Sequence, residues 1–457
     1  MSIRRWSKLV LLLTVSSVVC ILSANKASAV PSFARQTGMA CTACHTMFPE
    51  LTPFGRTFKL TGYVLNKTGA KHPSELPLAG MVQVSYTRTN NSSVNDLQEN
   101  TWAFHNMSHE NDVLNTPQVI SIFYGGQIYG KVGALVQATW ANDGGNLPGM
   151  DMADIRYANT IPICGKNFVY GLTFNNNPSS EDVWNSTPAW GFPYASSNIE
   201  PSPAADPVID NSLSALVGGG GVYGYWDNTL YAAVSVYRSA LNGPFSFFAA
   251  GDHPLGTYVQ GAIPYWRVAL TRHYGPHWFE LGTYGISVNE FSNGYDGGPT
   301  DNYLDTAIDG EYQYINGNTI YSLEGTWIHE NQDRSGSLVS GVSSNPSDHL
   351  NTFRFNGNCY YRTLHCGQVG GTVSYFSTTG SSDATLYGTS DLNPNGSPNS
   401  NGEILELDYM PAWHNYGPDG CGFAKFSLQY VIYNKFNGVS SGASDNNTLY
   451  LLAWFMF

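Results

Sequence analysis

Two cysteines and a histidine stand together near the amino end, in the run Cys41-Thr42-Ala43-Cys44-His45. A CxxCH run is the pattern for covalent attachment of haem c. Two thiols at this spacing can add to the two vinyl groups on one edge of a porphyrin, and the next residue can place its imidazole on the iron. The spacing therefore predicts one covalently bound haem c, with Cys41 and Cys44 as anchors and His45 as iron ligand.

Two other interpretations of paired cysteines are a redox-active CxxC and half of a zinc site. A redox pair normally lies in a thioredoxin-like βαβ context, which this part of the chain lacks. A zinc site needs a second pair of cysteine or histidine ligands, and no such pair lies near 41–45 in the sequence. Haem attachment is therefore the preferred interpretation.

The second axial ligand is left open by the sequence. Met47 stands only two residues beyond His45, so it should not reach the opposite face of the ring. The candidates are Met39, His72, Met81, His105, Met107 and His109. Arg35, Arg56 and Lys59 either pair with the haem propionates or are ordinary surface charges.

The amino end predicts a secretory signal peptide over residues 1–29. Basic residues precede an apolar run over 9–22, and Ala27-Ser28-Ala29 supplies small residues for cleavage. A retained membrane anchor is the alternative, but the apolar run is short for a spanning helix. The mature chain is expected to enter an oxidising compartment.

From Ala79 onward the sequence has one texture. Runs of about 8–13 residues are apolar at alternate positions, and Gly, Asn, Asp, Ser and Pro separate them. In the last run, Leu449, Leu451 and Ala453 share one face. We predict sixteen strands, which begin near Ala79, Pro117, Lys131, Asp151, Lys166, Ala215, Thr229, Gln260, His277, Asn302, Asn318, His349, Gly367, Gly402, Cys421 and Thr448.

The connections between these runs alternate in length. Wide loops fall near 91–116, 141–150, 176–214, 239–259, 290–301, 329–348, 379–401 and 435–447, and tight turns near 130–131, 162–165, 226–228, 273–276, 315–317, 359–366 and 413–420. This alternation is typical of outer-membrane barrels, in which closure leaves no sheet edge in lipid. A soluble β-sandwich also alternates apolar and polar residues, but its loops do not segregate by length. We predict an all-β fold, an outer-membrane antiparallel β-barrel of about 16 strands with a small N-terminal haem c domain.

The predicted domains are the signal peptide at 1–29, a monohaem cytochrome c domain at 30–78 and a porin-like β-barrel at 79–457. A domain of about 45 residues is below the size at which a core alone is secure. A covalent haem would supply the missing apolar mass. The residues expected to pack against it are Phe33, Phe48, Leu51, Phe54, Phe58 and Leu60.

Acidic residues outnumber basic ones by 34 to 21, which gives a formal net charge of −13. Nucleic acid is therefore excluded as a partner, because phosphates are held by clustered cations. The strand pattern predicts that Glu280, Glu324, Glu406 and Asp408 face the lumen. Carboxylates there would attract cations, and they are equally typical of an ordinary cation-selective pore.

Four further cysteines, Cys164, Cys359, Cys366 and Cys421, fall on the short-turn side of the predicted barrel. Cys359 and Cys366 flank one turn, and a disulfide between them is one expectation. Pairing of Cys164 with Cys421 would follow by elimination, but four cysteines allow three connectivities. The pairing stays open at this stage.

The N-terminal segment resembles a known family through four runs: PSFARQTG at 31–38, CTACH at 41–45, PELTPFGR at 49–56 and FKLTGY at 58–63. The family is that of outer-membrane fusions of a monohaem cytochrome c with a porin, found in iron-oxidising bacteria. The rest of the chain matches this family only in length, texture and its terminal Phe457.

The resemblance implies a redox-active electron-transfer protein in the bacterial outer membrane, in contact with its lipid. Its haem domain would lie in the barrel lumen or on the periplasmic side. It would take electrons from extracellular Fe(II) and pass them to a periplasmic c-type cytochrome or another electron carrier. Two alternatives remain: a porin for small solutes with a structural or gating haem plug, and a conduit with a donor other than Fe(II).

Overall fold

Seventeen β-strands make up most of the described chain. The structure is a computed structural model and describes residues 31–65, 77–90, 107–109, 111–141, 149–210, 213–241, 246, 258–294, 296–363, 366–388, 393, 395–411 and 423–457. The predicted signal peptide, His72, His105 and Cys421 lie outside these residues.

The strands are β1 (Leu78–Thr89), β2 (Met107–His109), β3 (Asp112–Tyr129), β4 (Val132–Ala141), β5 (Gly149–Ile163), β6 (Lys166–Asn175), β7 (Val217–Trp226), β8 (Leu230–Ser239), β9 (Ile263–Tyr274), β10 (His277–Phe291), β11 (Thr300–Asn316), β12 (Thr319–Asp333), β13 (Ser347–Thr363), β14 (Gly367–Gly380), β15 (Ser400–Met410), β16 (Phe423–Lys435) and β17 (Thr448–Met456).

The sheet closes on itself. Each strand from β3 to β17 pairs antiparallel with the next, and β1 pairs with both β17 and β3. The short β2 pairs only with β3 among the described residues and does not contribute to the wall. Sixteen strands therefore form a closed antiparallel barrel, as predicted, and no wall strand has an open edge.

The barrel wall is apolar outside and polar inside. Outward residues such as Leu281 and Leu407 are each 63% exposed, whereas the charged residues next to them in sequence are buried. Glu280, Glu324, Glu406 and Asp408 all face inward, which confirms the predicted lumen positions. An apolar outer band is what a barrel needs in order to contact lipid. Among the described helices, none has the length and hydropathy needed to cross a membrane.

The ends of the barrel differ in the length of their connections. Connections of two or three residues join the strands at 130–131, 164–165, 227–229, 275–276, 317–318 and 364–366, and longer connections join them at 90–111, 142–148, 176–216, 240–262, 292–299, 334–346, 381–399 and 436–447. The connection at 411–422 is on the short-turn side and is longer than its neighbours. The alternation predicted from the sequence is therefore present.

Strand starts agree with the predicted positions to within five residues, and β3 differs most. It begins at Asp112 rather than near Pro117. The β1–β3 register skips between Gln83, opposite Val119, and Ser85, opposite Asn115. Pro117 lies in this bulge, where its missing N–H costs no ladder hydrogen bond, so the strand continues through a residue that normally marks a strand end.

Two segments fold into the lumen rather than into the wall. Residues 31–65, here called the plug, contain the helices α1 (Pro31–Thr37), α2 (Cys41–Cys44) and α3 (Pro53–Leu60). Residues 176–210 and 213–216, here called the inner segment, stand between β6 and β7 and include a 3₁₀ turn at Pro178–Glu181. A fourth helix, α4 (Ser335–Ser340), lies in a long connection.

Candidate functional site

The plug crosses the lumen from one wall to the other. The Tyr63 hydroxyl donates to Asp154 on β5 at 2.5 Å. On β13, the guanidinium of Arg362 donates to the His45 carbonyl at 2.8 Å. Because β5 and β13 stand eight strands apart in the ring of sixteen, these contacts reach opposite sides of the barrel. Residues 31–65 therefore contact opposite sides of the barrel interior.

The plug lies toward the short-turn end of the barrel. Arg362 is next to the last residue of β13, and Gln368, which donates to the Thr46 carbonyl at 2.6 Å, is the second residue of β14. Both therefore flank a short turn. In an outer-membrane barrel the short turns face the periplasm.

The inner segment meets the plug from the other side. The backbone N–H of Leu51 donates to the Asn185 side-chain oxygen at 2.9 Å. The Lys59 ammonium donates to the Asp182 carbonyl at 3.0 Å and lies 4.6 Å from the centre of the Trp190 ring. Burial lowers the pKa of Lys59 to about 8. Plug and inner segment therefore share one buried interface within the lumen.

Helix α2 brings the three predicted haem residues to one cavity. Cys41 and Cys44 are one helical turn apart, and the N–H of His45 bonds to the Cys41 carbonyl at 2.9 Å. Side chains three positions apart lie on the same helix face. Cys41, Cys44 and His45 all line a cavity of about 900 Å³.

Helix α3 packs directly against this motif. Thr52 caps α3 by accepting from the Gly55 N–H at 3.1 Å, and its own hydroxyl donates to the Ala43 carbonyl at 2.6 Å. A Cβ on Gly55 would lie 2.2 Å from the Cys44 carbonyl oxygen. The close approach of the two helices therefore requires glycine at position 55.

The imidazole of His45 is oriented by a backbone carbonyl. Its Nδ1 lies 3.0 Å from the Pro49 carbonyl oxygen, which can only accept. The proton is therefore on Nδ1, and Nε2 keeps the lone pair that a metal requires. Burial lowers the pKa of His45 to about 4, so the ring is neutral at physiological pH.

Both thiols of the motif are partly buried and protonated. Burial raises the pKa of Cys41 to about 11 and that of Cys44 to about 12. Both residues are free cysteines in the structure. Haem attachment stays the prediction made from the CxxCH run.

Most of the cavity lining is aromatic or aliphatic. Five of the six predicted packing residues contribute to it, namely Phe33, Phe48, Leu51, Phe54 and Phe58. Leu60 does not, because it is buried in a separate cluster with Trp184 and Tyr231. The wall adds Phe423 and Trp454, whose rings lie 4.4 Å and 5.2 Å from that of Phe48. Cofactor sites are typically apolar cavities of about 300–1,000 Å³, so the volume, lining and donor set fit a haem.

The cavity limits the choice of a second axial ligand among the described residues. Met39 and Met81, both predicted, line it, and so do Met152 and Met456. Met152 and Met456 were not predicted from the sequence, because a methionine that faces inward from a strand has no distinctive sequence pattern. Met47 does not line the cavity, although it is buried in the same apolar cluster as Met81 and Met456. The side chains of the predicted Met107 and His109, and the residues His72 and His105, lie outside the description.

The predicted propionate partners divide in two groups. Lys59 lines the cavity, whereas the guanidinium of Arg56 pairs with Glu311 and that of Arg35 donates to the Leu78 carbonyl. Arg56 and Lys59 are both on helix α3, three positions apart, but Arg56 contacts the wall and Lys59 contacts the inner segment. Sequence position alone could not separate them.

The lumen carboxylates are partly neutralised by cations of the wall. Lys425 lies 3.3 Å from Glu406 and 3.2 Å from Asp408, and Arg267 lies 3.4 Å from Glu280. These ion pairs reduce the negative charge that is available to attract mobile cations into the lumen. Adjacent strands supply the opposite charge.

The disulfide expected between Cys359 and Cys366 is wrong. Cys359 lies on β13 opposite Gly371 of β14, and Cys366 lies in the turn between these strands. Both are exposed free cysteines, as is Cys164. The register therefore places a glycine, and not a second cysteine, across from Cys359.

Comparison with known proteins finds no matching family model and no matching curated protein. Among solved structures, the chain is similar to the outer-membrane expressed OmpT of Vibrio cholerae, with 8% identity, a TM-score of 0.43 and coverage of 84% of this chain and 99% of that one. It is also similar to OmpF of Salmonella typhi in complex with daunomycin (10% identity, TM-score 0.42, coverage 83% and 97%) and to an anion-selective porin from Comamonas acidovorans (11%, 0.41, 83% and 98%).

The closed wall and its apolar outer face decide the class of protein. The chain is a porin-like outer-membrane β-barrel. The resemblance to the cytochrome–porin family and the haem itself stay predictions.

Proposed function

We propose that the barrel is an outer-membrane electron conduit. It takes electrons from extracellular Fe(II) through one haem c, bound to Cys41, Cys44 and His45, and passes them to a periplasmic electron carrier. The strongest support is the position of these three residues. All three belong to the plug that crosses the lumen, and together they line one apolar cavity.

A conduit must carry an electron past an apolar layer about 25–30 Å thick. A redox centre held within the barrel can be approached from both ends, whereas one on either membrane surface cannot. Bound haem would supply a one-electron redox couple at this position. Each Fe²⁺ gives up one electron and becomes Fe³⁺, and the carrier on the other side accepts one electron.

The chain's own residues hold the site in a fixed and water-poor state. The Pro49 carbonyl orients the His45 ring, and Arg362 and Gln368 donate to the backbone carbonyls of His45 and Thr46. Phe48 closes the cavity against the wall. A rigid apolar surrounding reduces solvent reorganisation around a redox centre and tunes its potential.

The alternative is a porin in which the plug is a structural or gating element. The plug contacts opposite walls and is bonded to the inner segment, an arrangement that favours a closed lumen. A porin of this kind would conduct solutes in reconstituted bilayers regardless of the haem redox state.

The second alternative is a conduit with a donor other than Fe(II). It differs from the proposal only in which reductant reduces the haem fastest, so the rates with sulfur compounds and with reduced cytochromes are compared with the rate with Fe²⁺.

The test uses mature protein purified in detergent from the outer membrane. We expect a mass increase of one covalent haem and the spectrum of a reduced c-type cytochrome after anaerobic addition of Fe²⁺. The double variant Cys41→Ala/Cys44→Ala should lack both. If dithionite reduces the haem but Fe²⁺ leaves it oxidised at acidic and near-neutral pH, iron is not the donor.

A further inference from the structure

Three buried carboxylates meet where the plug touches the wall. Glu311 on β11 and Glu324 on β12 are directly opposed in the strand register, and Glu50 reaches them from the plug. One oxygen from each lies within 4.8 Å of the others. The three residues, here called the carboxylate triad, are 4%, 1% and 0% exposed, respectively.

Neutral donors surround the triad. Glu50 accepts from the Gln313 amide at 2.8 Å and from the Ser322 hydroxyl at 2.5 Å. The Asn358 amide donates to both Glu50 and Glu324 at 3.2 Å. These bonds fix the positions of the carboxylates, but amides and hydroxyls leave their charge in place.

Part of the triad has no hydrogen-bond partner. Glu311 Oε2, Glu324 Oε1 and the amide oxygen of Gln313 are all buried and unpaired. Arg56, which binds the other oxygen of Glu311, is the one described cation that forms an ion pair with the triad. Three carboxylates therefore share one guanidinium.

Such an arrangement is costly unless a positive charge is added. Buried anions need a partner, and two carboxylates directly opposed across strands repel each other. Carboxylate oxygens together with an amide carbonyl are the ligands that hard divalent cations select. The unpaired oxygens are of these two types.

We propose that the carboxylate triad binds one hard divalent cation that joins the plug to strands β11 and β12. Glu50 belongs to the plug and the other ligands belong to the wall, so the cation would act as a crosslink between them. The proposal is independent of the redox function, because no ligand lines the haem cavity. Protonation of the carboxyls is the competing way to remove the charge.

Metal analysis of the haem-containing full chain tests this proposal. The protein is stripped with EDTA, dialysed separately against Ca²⁺, Mg²⁺, Mn²⁺ and Fe²⁺, and then transferred to metal-free buffer. We expect one retained cation per chain for at least one of these metals, counted by mass spectrometry with the haem iron subtracted. If the wild-type chain retains none of the four, the carboxyls are neutralised by protons and the proposal is overturned.

Two variants locate the cation. Glu324→Gln removes a ligand charge at constant size and should abolish the retained cation. Glu406→Gln is the matched control, because Glu406 is also a buried lumen carboxylate but lies on β15, three strands away from β12 and outside the triad. If Glu324→Gln fails to fold as a heat-modifiable barrel, Glu50→Gln replaces it. Equal retention by wild type and by the folded ligand variant would contradict the assignment.

Discussion

At the scale of single residues, the haem motif depends on neighbours that a motif search does not show. The CTACH run identifies Cys41, Cys44 and His45, and the structure adds the Pro49 carbonyl that selects the His45 tautomer. It also adds Gly55, which allows α3 to lie against the motif. A single glycine after Phe54 forms no distinctive sequence pattern, so its role becomes visible only in three dimensions.

Replacing Gly55 by alanine should disrupt the haem site. The added Cβ would lie 2.2 Å from the Cys44 carbonyl oxygen, so α2 and α3 must separate. We expect a loss of about 1–3 kcal/mol in the free energy of unfolding, the usual range for an overpacked interior. Urea unfolding in detergent and the haem content per chain measure both effects.

Thr57→Ala is the control for this variant, because Thr57 is on the same helix and exposed. It should keep the wild-type haem content. A Gly55→Ala protein with normal stability and a full complement of haem would show that the two helices are not in close contact.

At the scale of elements, the plug and the inner segment stabilise each other through a buried lysine. Lys59 near the end of α3 bonds to the Asp182 carbonyl and lies over Trp190. Its neighbours in sequence predict only an amphipathic helix. The inner segment is more than 120 residues away in the chain, so no local pattern could reveal this contact.

The interface between plug and inner segment should give a pH dependence with a defined sign. The pKa of Lys59 falls from 10.5 to about 8 in the folded chain. Between these values the unfolded chain binds the proton and the folded chain does not, so stability rises with pH by on the order of 3 kcal/mol. Lys59→Met should remove this rise.

Unfolding free energies between pH 7 and 11 measure the slope for wild type, for Lys59→Met and for Lys166→Met. Lys166 is exposed and pairs with Asp227 in a turn, so its replacement should leave the slope unchanged. Parallel curves for wild type and Lys59→Met would mean that the lysine is hydrated and not buried against the inner segment.

At the scale of the whole molecule, the barrel wall could be predicted, but the contacts between the plug, the inner segment and the wall could not. Period-two alternation is a local property, and it located the strand starts and the inward side chains of Glu280 and Glu324. Contacts across the lumen join residues that are distant in sequence. Met152 on the cavity and Glu311 beside Glu50 are examples, because their roles depend on where the plug docks.

The plug changes what a sixteen-stranded barrel can do. A barrel of this size normally encloses an aqueous channel. Here the plug is bonded to opposite walls and to the inner segment, so the lumen holds a structured site instead. Fold class alone therefore says little about function in this molecule, and the function depends on the residues inside the lumen.

Electron transfer across a sealed bilayer tests the conduit most directly. The protein is reconstituted into liposomes that contain oxidised cytochrome c, and Fe²⁺ is added outside under anaerobic conditions. We predict that the enclosed cytochrome c is reduced by the wild-type protein and not by Cys41→Ala/Cys44→Ala. Equal reduction with both proteins would mean that Fe²⁺ passes through a pore, and no reduction with either would mean that the barrel carries no electrons; both results contradict the conduit.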